Sequence, residues 1–247
     1  MPELLARTRN GVLSSLSLPE KAVLAPLLET VDLPNKAALE LANTPIEHVY
    51  FLESGIASTF TVASSRQRAE AGLIGREGLT GLPVLLGMAQ APSETIMQVT
   101  GTGFRVRSHD LQVVMRHHEA IRQKLLKFVL AFLIQIGFTA LSRSRLKIEG
   151  RLARWILMSA DRMDDIDLRL THEFFADLMS VRRASITEAI QMLEYRGLIR
   201  AGRQRIVILN RTGLQMLTMG IYGVPEAEYA RLFGKSVFDT SLASPAK

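Results

Sequence analysis

Apolar residues recur in two rhythms along this 247-residue chain, and the change of rhythm marks its parts. Between about Glu47 and Ser108, short runs of β-type residues come at close intervals: His48 to Leu52, Ile56 to Val62, Ala69 to Ile74, Thr95 to Val99 and Phe104 to Arg107. Glycine and serine separate them, and Glu53-Ser54-Gly55 and Gly101-Thr102-Gly103 read as hairpin connections. So dense a run of turns predicts an antiparallel roll or barrel rather than a parallel sheet. Helices are expected on its flanks, around Pro19 to Leu28 and Ser108 to Met115.

From about His118 to Lys147 the spacing becomes helical, with Ile121, Leu125, Phe128, Phe132, Gln135 and Thr139 close to one stripe. About 30 residues at ~1.5 Å each make a rod of roughly 45 Å, longer than a small domain needs to cover. Burial against the chain's own sheet accounts for part of the stripe, and its length favours the seam of a parallel homodimer. Residues 150–160 restart a helix.

The stretch from Leu170 to Asn210 carries the most specific pattern. Thr171 can cap a helix whose apolar positions are Phe174, Phe175, Leu178 and Met179. Ser180-Val181 interrupts it, and a second helix starts near Arg182 with Ile186, Ile190, Leu193 and Met192 behind and Arg182, Arg183, Ser185 and Glu188 elsewhere. Gly197 falls at a helix C-cap, and residues 198–209 read as strand, turn and strand carrying Arg200, Arg203 and Arg205. Helix, turn, helix and basic hairpin together predict a winged helix-turn-helix whose two basic elements straddle a phosphate backbone around a major groove.

Charge sharpens this division. Residues 1–115 carry 9 Lys and Arg against 11 Asp and Glu, whereas residues 116–247 carry 21 against 13. The basic half is the one with the reader, as attraction to nucleic acid requires. The chain has no cysteine, which excludes disulfides, thiolate metal sites, cysteine-ligated iron–sulfur clusters and thiol switches. Its N-terminus lacks signal-peptide organisation, and the uncharged run from Phe128 to Leu141 is short of the ~20 residues of a bilayer crossing. A cytoplasmic protein without a membrane partner is expected.

Roll, long helix and winged helix-turn-helix in this order resemble the Crp/Fnr superfamily of bacterial transcription regulators over about residues 15–215. The phrases HVYFLESGIAS, GLIGREGLTGLPVLLG, RLARWILM, LTHEFFADLMSVRRASIT and LEYRGLIR are similar to one large branch whose effectors are mostly undefined. The tail RTGLQMLTMGIYGVPEAEYARLFG looks like that branch's extra C-terminal helix. The resemblance implies an α+β chain with an N-terminal antiparallel β-roll of cyclic-nucleotide-binding type over 1–115 and a dimerisation helix over 116–148. The DNA-binding domain would follow at 149–215, and a helical extension and tail at 216–247.

Carried over residue by residue, the resemblance puts Arg183 on guanine and Ser185 on a phosphate. A planar guanidinium at a helix start can pair bidentately with guanine O6 and N7. Glu188 and Ala184 depart from the catabolite-activator pattern, so a different half-site is expected, with Arg182 and Glu188 joining Arg183 in base readout. Thr171, Ser185, Arg200, Arg203 and Arg205 would hold phosphates. In the sensor, Gly75, Arg76, Glu77 and Gly78 occupy the phosphate loop, either as an effector cradle or as tight turns in a roll. Arg76 stands where the family has a ribose-binding acid, and Ser93-Glu94-Thr95 where it has a phosphate arginine. This argues against cyclic AMP in the usual mode, and no cofactor is expected. Expected partners are double-stranded DNA and a second copy of the chain, with RNA polymerase a further candidate.

Two other classes compete: a ligand-binding or protein-interaction signalling module that does not read DNA, and a cupin-type metal protein. His48, His109, His117, His118 and His172 show no His-x-His spacing, and adjacent histidines point to different faces of a helix. Haem on His48 is a further possibility within the superfamily. No catalytic residues are expected.

Overall fold

The computed structural model describes residues 5–64, 67–163, 167–168, 172–202, 205–234 and 237–238. The chain divides into two compact units, one of residues 1–134 with 229–237 and one of residues 135–228 with 238–247. The boundary between the units falls within the long helix.

The first unit opens with α1 (Gly11–Ser14), α2 (Leu18–Leu24) and a 3-10 turn at Ala25–Leu27. A capping box between Ser17 and Glu20 starts α2. The strands are β1 (Glu29–Leu33), β2 (Ala38–Glu40), β3 (His48–Leu52), β4 (Ile56–Ser64), β5 (Gln67–Ile74), β6 (Ser93–Val99) and β7 (Gly101–Arg107), with α3 (Leu82–Leu85) between β5 and β6. They form two antiparallel sheets, ordered β1-β7-β3 and β2-β6-β4-β5. The expected roll is present, and its strands alternate: Val49 and Phe51 of β3 are buried while His48 and Tyr50 are half-exposed. Two short strands, β1 and β2, escaped the sequence reading.

Both expected hairpin connections are corrected. Residues 53–55 join β3 to β4 and residue 100 joins β6 to β7, yet each pair of strands lies in different sheets. Gly101 and Gly103 belong to β7 itself, opposite Leu33 and Val31 of β1. Their glycines serve close approach rather than a turn: a Cβ on Gly101 would stand 2.1 Å from Ser54 O, and one on Gly103 would stand 2.4 Å from Phe51 O. Buried Asn10 ties the corner down, its Nδ2 donating to Leu52 O at 2.8 Å and Gly78 O at 2.7 Å.

After α4 (Ser108–His117) comes α5 (Glu119–Arg145), 27 residues long. The stripe expected to be a dimer seam turns inward. Ile121, Leu125, Phe128, Phe132, Gln135 and Thr139 are each between 0% and 7% exposed within the single chain, so they have no surface to offer a second copy. The exposed apolar residues are Leu130 (45%), Leu133 (55%) and Leu141 (40%), on another face of the same helix with half-exposed Leu126 and exposed Gly137. The helix carries two apolar faces, and the sequence spacing picked out the inner one. Length and composition would also let α5 cross a membrane; 44% of its most apolar window is buried.

The second unit contains α6 (Ile148–Met163), β8 (Asp167–Leu168), α7 (His172–Met179), α8 (Arg183–Tyr195), β9 (Ile199–Gly202), β10 (Arg205–Ile208) and α9 (Arg211–Leu217). A last helix, α10 (Val224–Phe233), crosses the unit boundary at Tyr229. Trp155 of α6 meets the edges of Phe174 and Phe175 at ring distances of 5.6 and 6.4 Å, an arrangement that the aromatic quadrupole favours. Fully buried Asp161 pairs with Arg211 and accepts from Tyr222 Oη at 2.6 Å, joining α6 to the start of α9 and to the segment beyond it. Burial holds the Asp161 carboxyl above its ordinary pKa against the pull of Arg211 and Tyr222.

A carboxyl raised in this way adds most to stability below its unfolded pKa and loses that contribution as pH rises through the folded value. Arg211→Met removes the opposing cation and raises the carboxyl further. The expected loss is about 3–5 kcal/mol near pH 8 and distinctly less near pH 5, measured by urea unfolding at the two pH values.

Candidate nucleic-acid interface

α7 and α8 pack against each other and against α6, and the turn between them uses Ser180 in the left-handed region at φ 52°. Phe175, Leu178 and Met179 are buried from α7, and Ile186, Ala189, Ile190 and Leu193 from α8. Met192, read from the sequence as part of that apolar back, is instead exposed at the surface. Burying one face of α8 fixes which face looks out. Arg182 occupies the N-cap with extended backbone (φ −66°, ψ 143°), so the first turn of α8 begins between two arginines.

Arg182, Arg183 and Glu188 are exposed, and Ser185 is half-buried. The expected base-reading residues thus share the outer surface of one helix. The same surface includes Ala184, together with Thr187 and Gln191, which reasoning from basic residues passed over. Gln191 is the notable omission, since a glutamine can pair bidentately with adenine N6 and N7. Its only sequence signal was its helical spacing from Ala184 and Glu188.

β9 and β10 form the wing, with Arg205 opposite Gly202 and Val207 opposite Arg200. Period-two alternation buries Ile199, Ile206 and Ile208 and leaves Arg200 and Arg205 exposed. β8 adds a third strand by pairing Leu168 with Ile206, which the sequence reading did not foresee. Glu194 Oε1 accepts from Ala201 N at 2.7 Å, fastening the wing to α8. Gly197, at φ 67°, makes the left-handed exit that the sequence predicted. Arg196 at the C-cap is another exposed cation of this surface. Among the described residues, Arg182, Arg183, Arg196 and Arg200 have no hydrogen-bond or ion-pair partner for their side chains, so these guanidiniums are available to an incoming anion. Thr171 and Arg203 lie outside the described residues.

In the roll unit, Gly75, Arg76, Glu77 and Gly78 come together in a loop turned toward its own chain. Glu77 Oε2 accepts from Gly75 N at 3.1 Å, Arg76 O accepts from Gly11 N at 2.7 Å, and Arg76 Nη2 donates to Val237 O at 2.5 Å. Tyr229 Oη donates to Glu77 O at 2.7 Å. Glu94, where the resemblance places a phosphate-binding arginine, is paired at 2.5 Å with Arg68, whose guanidinium also lies 4.7 Å from the Phe60 ring centroid. His48 stands half-exposed on β3, and no three His, Asp or Glu side chains converge as a metal site among the described residues.

Comparison with known proteins places this geometry. The family described as "Crp-like helix-turn-helix domain" matches residues 150–217. No curated protein matches the chain. Among solved structures, FixK2 from Bradyrhizobium japonicum superposes with a TM-score of 0.67 at 16% identity, covering 77% of this chain and 96% of its own. A CRP-family transcriptional regulator from Thermus thermophilus gives 0.63 at 17%, covering 76% and 96%. The c-di-GMP-responsive global regulator CLP from Xanthomonas campestris gives 0.64 at 13%, covering 78% and 99%.

Gly78 is expected to tolerate no side chain, because a Cβ there would meet the Phe128 ring at 2.0 Å. Gly78→Ala should cost about 1–3 kcal/mol through overpacking, seen as a lowered thermal midpoint of the purified protein.

The chain therefore carries a Crp-like helix-turn-helix domain and has the fold of the Crp/Fnr transcription regulators.

Proposed function

We propose that the protein is a sequence-specific transcription regulator that acts in the cytoplasm as a homodimer on an inverted repeat. The observation that carries this reading is the exposed basic face of α8 and the wing, held outward by a fully packed apolar back. Arg183, with Arg182, Glu188 and Gln191, would read base edges in the major groove. Ser185, Arg196, Arg200 and Arg205 would hold phosphates on either side. Arg203, by its place in the basic wing of the sequence, and Thr171 would join the phosphate set.

A homodimer would bring two such readers to half-sites about one helical turn apart. Its seam is the outer stripe of α5, Leu126, Leu130, Leu133, Gly137 and Leu141, which recurs at the three-four spacing of a helical interface. No cyclic AMP is needed in this reading, since the Gly75 to Gly78 loop is hydrogen-bonded within its own unit and Glu94 would repel a phosphate.

Site selection from random duplex DNA at fixed salt, without added nucleotide, should recover an inverted repeat. Recovery of no specific sequence would favour a signalling module that does not read DNA. Arg183→Ala should lose about 1–3 kcal/mol of discrimination at one base pair. Arg205→Ala should instead weaken all sequences alike and reduce the salt slope by about one phosphate. Leu133→Glu should sediment as a folded monomer with reduced operator affinity, and a persistent dimer would refute the seam. Phe132→Glu should unfold the protein, because Phe132 is buried inside one chain.

A further inference from the structure

We propose that a cavity of about 270 Å³ in the roll unit, lined by α3, α4 and the first turn of α5, binds a compact apolar monocarboxylate. This inference concerns a different surface from the DNA-reading helix and stands whether or not that reading is right. The floor is apolar and firmly packed: Val84 and Leu85 of α3 and Met115 of α4 are all buried. The rim is cationic, with Arg116 from the last turn of α4 and Arg122 from the first turns of α5.

Both arginines are exposed, and Arg116 has no hydrogen-bond or ion-pair partner among the described residues. Arg122 is engaged through Nη2 with Glu119, one turn earlier on its own helix. A guanidinium has five N–H donors, so this pairing leaves the rest of the fork available. Two guanidiniums against one carboxylate leave a single local positive charge, which favours a monoanion over a phosphate dianion. Gln112 holds the floor to the rim, its Nε2 donating to Val84 O at 3.3 Å, and its amide oxygen is a further polar atom at the mouth. Gly87 adopts φ 84° and a Cβ there would meet nothing within 4 Å, which leaves that side of the mouth open.

The size of the space selects the body of the ligand. An apolar cavity of about 150 Å³ accommodates benzene, so this one has room for a ring with a carboxylate directed at the rim. The polar contacts would be charge-assisted hydrogen bonds from Arg116 and Arg122, the pairing for which a planar fork is best suited. A dicarboxylate or nucleotide has too much charge for this rim and too little apolar surface for this floor.

The probe is 4-fluorobenzoate, followed by fluorine NMR line broadening on the full-length protein, with 4-fluorobenzyl alcohol as the neutral counterpart. For a ligand of this size, saturable binding with a Kd on the order of 1 mM is expected. Arg116→Gln and Arg122→Gln should each weaken it at least fivefold with the thermal midpoint unchanged, and the alcohol should bind at least tenfold more weakly. Lys127→Gln, an exposed cation on the same helix outside the cavity, should leave binding as it was. The proposal is overturned if 4-fluorobenzoate shows no saturable binding, if either arginine variant binds it as well as the parent, or if the neutral alcohol binds equally.

Discussion

The 27-residue helix α5 carries apolar residues on more than one side and this chain covers only one of them, a constraint on which much of the structure depends. Its inner face supplies Ile121, Leu125, Phe128 and Phe132 to the core of the roll unit. The other face is left with Leu130, Leu133 and Leu141 in solvent. Exposed apolar surface in a continuous stripe usually marks an interaction site. The scarcity of charge along the middle of this helix has the same origin, since each face excludes charge for its own reason.

The reader domain solves a different problem, holding cations outward without pairing them internally. Packing from α6 and α7 takes up one side of α8, so Arg183 and its neighbours need no partner to stay exposed. The buried Asp161, Arg211 and Tyr222 cluster contrasts with this surface. There an arginine is consumed by an acid and a phenol in the interior, joining elements rather than greeting a ligand. One residue type thus does opposite work according to whether water can reach it.

Much of this was legible in the sequence. Strands β3 to β7 and helices α7 and α8 follow from alternation, helical spacing and cap residues, because those signals are local. Residues 53–55 and 101–103 were misread as hairpin connections, since glycine marks both a turn and a close approach between strands and only the sheet pairing separates the two. β2 and β8 were missed because strands of three and two residues carry almost no periodicity, and β1 because it buries only Leu33 and so shows no alternation. The spacing picked out the stripe that this chain covers itself, since a helix with two apolar faces gives two valid stripes and spacing alone does not say which one its own chain covers. Gln191 was missed for a plainer reason, that attention to charge overlooks neutral side chains able to read a base.

Gly78 touches all of these questions from a distance. The Phe128 ring lies where a methyl group would otherwise be, so α5 meets the roll there with no intervening atom. A contact that close leaves the helix little freedom to turn about its own axis. The heading of Leu130 and Leu133 is thereby fixed on the opposite side of the helix, at a residue with no side chain. A mutation screen confined to the surface would never find the position that aims the surface.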